Sequence, residues 1–162
     1  MKKQDKEMLI TLEFPPDIGG VSTYLSELFR NFPAGRLAVM APPNGSVDYP
    51  HEVLRVPFYF KKIWPKWSLV FFQALRAARR MGVKRIYISH VLPIGYVAYL
   101  LKKILGISYV VFLHGMDVRL GNGKKWKRFW FKKILRGAEA VVANSVYTKD
   151  EILKAINPMR RA

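Results

Sequence analysis

Ser108-Tyr-Val-Val-Phe-Leu113 is apolar almost without interruption. A strand with one wet face alternates apolar and polar residues; an unbroken run of this length is dry on both faces, as in a parallel sheet covered by helices. Such a strand needs parallel neighbours, and the rest of the chain supplies them. Leu9–Leu12, Arg36–Ala41, Glu52–Val56, Arg85–Ser89 and Ala140–Ala143 read as five further strands, with Pro15-Pro16, Pro42-Pro43 and Pro57 stopping the first three. Helical spacing predicts a helix opening at Gly19-Gly20, with Val21, Tyr24, Leu25, Leu28 and Phe29 as its apolar positions. Further helices are predicted from Ser68, as N-cap, to Met81, over Ile94–Leu105, over Lys124–Arg136, and from the cap Asn144-Ser145 to Ile156. Gly82, Gly106 and Gly137 stand where three of them should stop. The expectation is one α/β domain over residues 1–162, a doubly wound parallel sheet with helices on both faces.

Composition narrows the chemistry. The chain has no cysteine, which excludes a disulfide scaffold, a zinc–thiolate site and a cysteine nucleophile. The longest apolar run, Val91–Leu101, falls short of the roughly 20 residues a membrane span needs. Lys2, Lys3, Asp5, Lys6 and Glu7 lead straight into the first strand, with none of the apolar stretch of a secretory signal. There is no internal repeat. The formal net charge is +17, and between Val53 and Ala138 the one acid is Asp117. A field this lopsided predicts an anionic surface or ligand as partner.

Doubly wound sheets bind ligands outside the carboxyl ends of their strands. Gly19-Gly20, His90, His114 and Asn144-Ser145 each follow a predicted strand and so share that rim. A strand, a glycine turn and a helix N-terminus suit an anion; the same glycines could equally mark a turn with positive φ. His90 either bonds a neighbouring backbone group or faces a ligand. In His114-Gly-Met-Asp117, Gly115 permits an abrupt turn, and Asp117 either serves the site or offsets Arg119.

A second feature is basic and aromatic. Lys124–Arg136 holds seven basic residues; by spacing, Trp126, Phe129, Trp130 and Ile134 share one face, and Phe131 and Leu135 another. One face can dock on the sheet while the other stays outside. Phe58–Trp67 repeats the chemistry in a loop centred on Trp64. Tryptophan flanked by lysine suits a membrane interface, so Trp64, Trp126 and Trp130 with Lys124, Lys125, Lys127 and Arg128 are candidate membrane contacts. The alternatives are a solvated charged face and a nucleic-acid surface; no recognised nucleic-acid motif accompanies it.

Taken in order, Glu13-Phe-Pro-Pro-Asp-Ile-Gly-Gly-Val21, Ser89-His-Val-Leu-Pro-Ile-Gly95, His114-Gly-x-Asp117 and Ala143-Asn-Ser-Val-Tyr-Thr148 resemble the N-terminal domain of retaining GT-B glycosyltransferases, and most closely their fourth sequence family. The resemblance implies a Rossmann-like domain forming the acceptor side of a cleft, with a nucleotide-sugar as donor substrate and no other cofactor or metal. It implies that Gly19 and Gly20 approach the donor phosphates, that His114 contacts the transferred sugar, and that Asn144 and Ser145 line the cleft near the donor. His90 and Asp117 are expected on the acceptor side, facing a sugar, lipid-linked or polysaccharide acceptor. It further implies a donor-binding domain after Ala162, in cis or as a separate chain, so that the domain alone transfers no sugar. The expected location is cytoplasmic, at the cytoplasmic membrane face.

Overall fold

The computed structural model describes residues 5–59, 64–115, 117 and 124–156. Residues 60–63 of the aromatic loop, Arg119 and the segment after Ile156 lie outside the described residues. Strands β1 (Lys6–Ile10), β2 (Leu37–Ala41), β3 (Glu52–Arg55), β4 (Val83–Ile88), β5 (Ser108–Leu113) and β6 (Ala140–Ala143) form one sheet. They alternate with α1 (Gly20–Arg30), α2 (Ser68–Met81), α3 (Ile94–Leu105), α4 (Lys125–Gly137) and α5 (Val146–Ile156). Every pairing is parallel, in the order β3-β2-β1-β4-β5-β6. This is the Rossmann order, with the direction of winding reversing between β1 and β4.

Alternation along the central strands sorts the core into two layers. Met8, Ile10, Ile86, Ile88, Tyr109 and Val111 face α2, α3 and α4. Leu9, Val39, Val110 and Phe112 face Leu25 and Phe29 of α1. From Tyr109 to Leu113 every residue of β5 is buried, as its unbroken apolar run predicts. β6 has the same kind of sequence but forms the sheet edge, and Val141 and Val142 are exposed.

Several boundaries differ from the sequence reading, each for a physical reason. β1 covers Lys6–Ile10 and not Leu9–Leu12. Glu7 looks too polar for a central strand, yet its carboxylate accepts from the Arg36 guanidinium at 3.1 Å and the Tyr87 hydroxyl at 2.5 Å. Beyond Ile10, the Thr11 hydroxyl takes up the Glu13 N–H at 3.2 Å, and the chain turns away. Ser68 is the first residue of α2 and not its N-cap; no side chain caps that end. Gly82 and Gly106 do stop their helices, at φ 67° and 70°, where a side chain would be strained. Gly137 instead lies inside α4, and a Cβ there would stand 2.6 Å from the Tyr109 hydroxyl, which donates to the Ile134 carbonyl. Close packing accounts for this glycine.

The same tightness repartitions α4. Gly95 of α3 lets Ile134 come so near that an added Cβ would lie 2.8 Å from it. Ile134 therefore joins Phe131 and Leu135 in the core and leaves the predicted company of Trp126, Phe129 and Trp130. Trp126 and Phe129 remain 54% and 59% exposed. Among the described residues, no helix is long and apolar enough to cross a membrane.

Candidate functional site

Three strand ends meet at the carboxyl rim. From β1 comes the loop Thr11–Gly19, which carries Glu13 and leads into α1. Gly19 has φ 176°, an extended conformation open to any residue, and a Cβ on Gly20 would meet nothing within 4 Å. Positive φ therefore does not explain this glycine pair; the pair leaves open space. No side chain caps α1 and no acid lies in its first turn, so its leading N–H groups have no intrahelical acceptor. One neighbour is unexpected for a phosphate site. The Glu13 carboxylate stands 3.5 Å from where a Gly19 Cβ would be.

From β4 comes His90. Thr11 donates to the Glu13 carbonyl at 2.9 Å, Thr11 and Ser89 hydroxyls lie 2.8 Å apart, and Ser89 lies 2.8 Å from His90 Nδ1. Because Thr11 has a single proton, the chain runs one way: Nδ1–H donates to Ser89, Ser89 to Thr11, and Thr11 to the backbone. His90 Nε2 is then bare, 3.8 Å from Glu13 Oε1. Two acceptors at that spacing face each other with no proton between them.

From β5 comes His114, with its ring 6.3 Å from that of His90 and edge-on to Tyr24 of α1 at 6.0 Å. Its Nε2 is buried and has no hydrogen-bond partner among the described residues. Asp117 joins the two loops. Its carboxylate accepts the His114 N–H at 3.0 Å and the Val91 N–H at 3.3 Å, and its own N–H donates to the His114 carbonyl at 2.9 Å. Asp117 is thus a buried tie between the two histidine loops.

Burial holds both imidazoles below the ordinary histidine range; His114 is lowered further by His90, with Glu13 pulling the other way. Both are neutral near pH 7. Burial also pushes the Asp117 carboxyl up to about 6, against the pull of its two backbone N–H donors. The signs of these shifts oppose each other in a stability profile. The histidines contribute stability present above their unfolded pKa of about 6.5 and lost as pH falls. Asp117 contributes stability present below its ordinary 3.8 and lost as pH rises through about 6. The Asp117 contribution is on the order of 3 kcal/mol. Asp117→Asn is therefore expected to make urea-unfolding stability rise more steeply with pH between pH 4 and pH 7 than it does in the parent. Parallel profiles would refute this balance.

Asn144 and Ser145 follow β6 on the same rim, and the Asn144 N–H donates to the Leu113 carbonyl at 3.3 Å. Their side chains are engaged locally. Ser145 accepts the Thr148 N–H at 3.1 Å as the cap of α5, and Thr148 donates to Asn144 at 3.0 Å. They border a hollow of about 550 Å³ with Leu113 and Ile152. The structure brings Gly19, His90, His114 and Asp117 into one group; Asn144 and Ser145 stand beside it as a helix cap. Trp64, Trp126 and Trp130, with Lys127, lie on the outer helical face. Sequence reasoning gave no individual site role to Glu13, Thr11, Ser89 or Tyr24; the signal was present in their positions just past β1 and β4 and on the first turns of α1. Among the described residues, no cluster of His, Asp and Glu could hold a metal ion.

The family model for Glycosyltransferase Family 4 matches residues 18–161. The chain belongs to that family. This family 4 domain has no significant match among curated proteins. Among solved structures it is similar to sucrose-phosphate synthase from Thermosynechococcus elongatus, with a TM-score of 0.62 at 16% identity, covering 96% of this chain and 82% of that one. The likeness concerns the fold, one Rossmann-like half of a GT-B architecture. A protein of unknown function from Vibrio parahaemolyticus aligns over 90% of this chain and 96% of its own at 12% identity, with a TM-score of 0.45.

Proposed function

We propose that this family 4 domain is the acceptor-binding half of a glycosyltransferase that moves a sugar from a nucleotide-sugar to a lipid-linked or polysaccharide acceptor. The observation that carries the reading is the facing pair of bare acceptors, His90 Nε2 and Glu13 Oε1, 3.8 Å apart. A hydroxyl set alongside the pair supplies the missing proton to one of the two, and hydroxyls are what a sugar acceptor offers. His114, neutral and with an Nε2 that has no partner among the described residues, stands next to them to hydrogen-bond the transferred sugar. The donor diphosphate then lies toward Gly20 and the open end of α1, away from the Glu13 charge. A donor-binding domain, in cis or in trans, completes the cleft, and this domain alone turns over no substrate. The reading also places the enzyme peripherally on the cytoplasmic membrane face, through exposed tryptophan and lysine.

The test is a radiolabelled nucleotide-sugar assay on the domain alone and joined to a family 4 donor-binding domain. The expected result is transfer by the joined protein only, with His114→Ala lowering kcat about 100-fold or more, the scale of one preorganised hydrogen bond at a reacting centre. Unchanged turnover in His114→Ala, or transfer by the isolated domain, would overturn the assignment.

A further inference from the structure

The outer face of α3 and α4 carries a groove that the rim chemistry does not use. It has a volume of about 830 Å³, within the roughly 300–1,000 Å³ typical of small-molecule sites, and its lining is mostly apolar. A ladder of rings forms one wall: Trp67 stacks on Tyr96 at 5.3 Å, Tyr96 meets Trp130 edge-on at 5.3 Å, and Trp130 meets Tyr99 at 6.0 Å. Trp64, 88% exposed, and Trp126 stand at the opening. Among the described residues, Lys66 and Lys127 are the charged ones in the lining. Beyond Tyr99 the face continues into a hollow of about 440 Å³ ringed by Lys102, Lys103, Lys132, Lys133 and Arg136.

The location of the groove decides its use. It is built from the N-terminal ends of α2, α3 and α4, and in a parallel sheet those ends lie at the carboxyl rim. The loop from β4 to α3 belongs to both places. His90 is at the site, the Val91 N–H is held by Asp117, and Leu92 and Pro93 line the groove. A molecule that fills the groove with an apolar chain thereby lies against the same loop that carries His90.

The geometry points to a lipid-phosphate acceptor whose hydrocarbon chain lies in the aromatic groove, with its anionic group beside Lys66 and Lys127. This rests on the glycosyltransferase reading and narrows its acceptor to a lipid. Charge complementarity selects the occupant. In sequence the only acid from Val53 to Ala138 is Asp117, and Asp117 is buried, so an anionic amphiphile meets attraction across the whole face. Each buried CH₂ is worth about fourfold in affinity, which makes the chain the larger contributor to binding.

The probe is farnesyl phosphate below its micellar concentration, titrated by tryptophan fluorescence, with inorganic phosphate and anionic vesicles free of isoprenoid as separate arms. Farnesyl phosphate is expected to bind one-to-one and about 100-fold more tightly than inorganic phosphate. Leu100→Trp, which fills the groove, should weaken it at least tenfold while circular dichroism and vesicle binding stay unchanged. Lys66→Gln with Lys127→Gln should weaken it without affecting the fold. Farnesyl phosphate binding no tighter than phosphate, or indifferent to Leu100→Trp, overturns the proposal; saturation by an apolar peptide helix in its place does the same. The two readings fail separately. Transfer to a water-soluble sugar with no farnesyl phosphate binding removes the groove assignment alone. Groove binding with no transfer by the joined protein removes the transferase assignment alone.

Discussion

Phe29→Ala is expected to lower the unfolding free energy by about 3–5 kcal/mol, the range for deleting a buried phenyl ring. Phe29 is almost fully buried, with Phe32 and Tyr87 each 5.0 Å away and Phe112 at 5.6 Å. Among the described residues, α1 is the one helix that lends side chains to this face of the sheet, and Phe29 and Leu25 are its buried apolar anchors. A void there cannot be refilled from the far layer, because the sheet lies between. The loss is a large share of the roughly 5–15 kcal/mol that holds most domains together. It should also loosen α1 and, with it, Gly19 and Gly20. Urea midpoints measure the first effect and hydrogen exchange of the α1 amides the second. Phe29→Leu should recover more than half of the stability; a Phe29→Ala loss below about 1 kcal/mol would mean that α1 is held by something else.

Replacing Lys124, Lys125, Lys127 and Arg128 together by glutamine is expected to weaken binding to anionic vesicles about 1,000-fold at low salt. The figure follows from about 1 kcal/mol for each basic residue near an anionic leaflet. Lys124, Lys125 and Arg128 are exposed, and Lys127 lies 6.0 Å from the ring of Trp126, so the charges and the exposed indole form one contact surface. Salt should erase most of the difference, since screening at physiological ionic strength sets in at about 8 Å. Stability should barely change, because α4 is anchored by Phe131, Ile134 and Leu135 on its other side. Co-sedimentation of the parent and the variant across a salt series checks both statements. Equal binding of the two at low salt would remove the proposed membrane role of α4.

The order of the elements was legible in the chain because periodicity and helix stops are local. β5 announces its burial on both faces by composition alone, and Gly82 and Gly106 mark helix ends through a backbone conformation that other residues avoid. Features set by distant partners were not legible. Glu7 enters a central strand because Arg36 and Tyr87 stand ready for its carboxylate. Ile134 turns inward because Gly95, on another helix, has no side chain. β6 reads like β5 but lies at the edge, a matter of strand order and not of residues. In the site, His90, His114 and Asp117 could be picked out by their places after strands. The direction of the hydroxyl chain from His90 to Thr11, which leaves Nε2 bare, needs β1 and β4 side by side. Nothing local distinguishes Gly19 as a residue set beside a carboxylate.

The tie made by Asp117 has a bearing on how fast and how selectively this rim can work. Loops at strand ends usually wander, and fixing each backbone residue forfeits about 1–2 kcal/mol of conformational entropy. Here the Val91 and His114 amides are fastened to one buried carboxylate, so that ordering is complete as soon as the chain has folded. On the proposed reading, an arriving ligand therefore meets imidazoles already held at a fixed separation and loses little further freedom in using them. The two histidines also cannot spread apart independently. If the proposed site is right, a ligand too broad for the gap between them would have to break the tie before it could enter, which would make a carboxylate that need touch no substrate the gauge of substrate width.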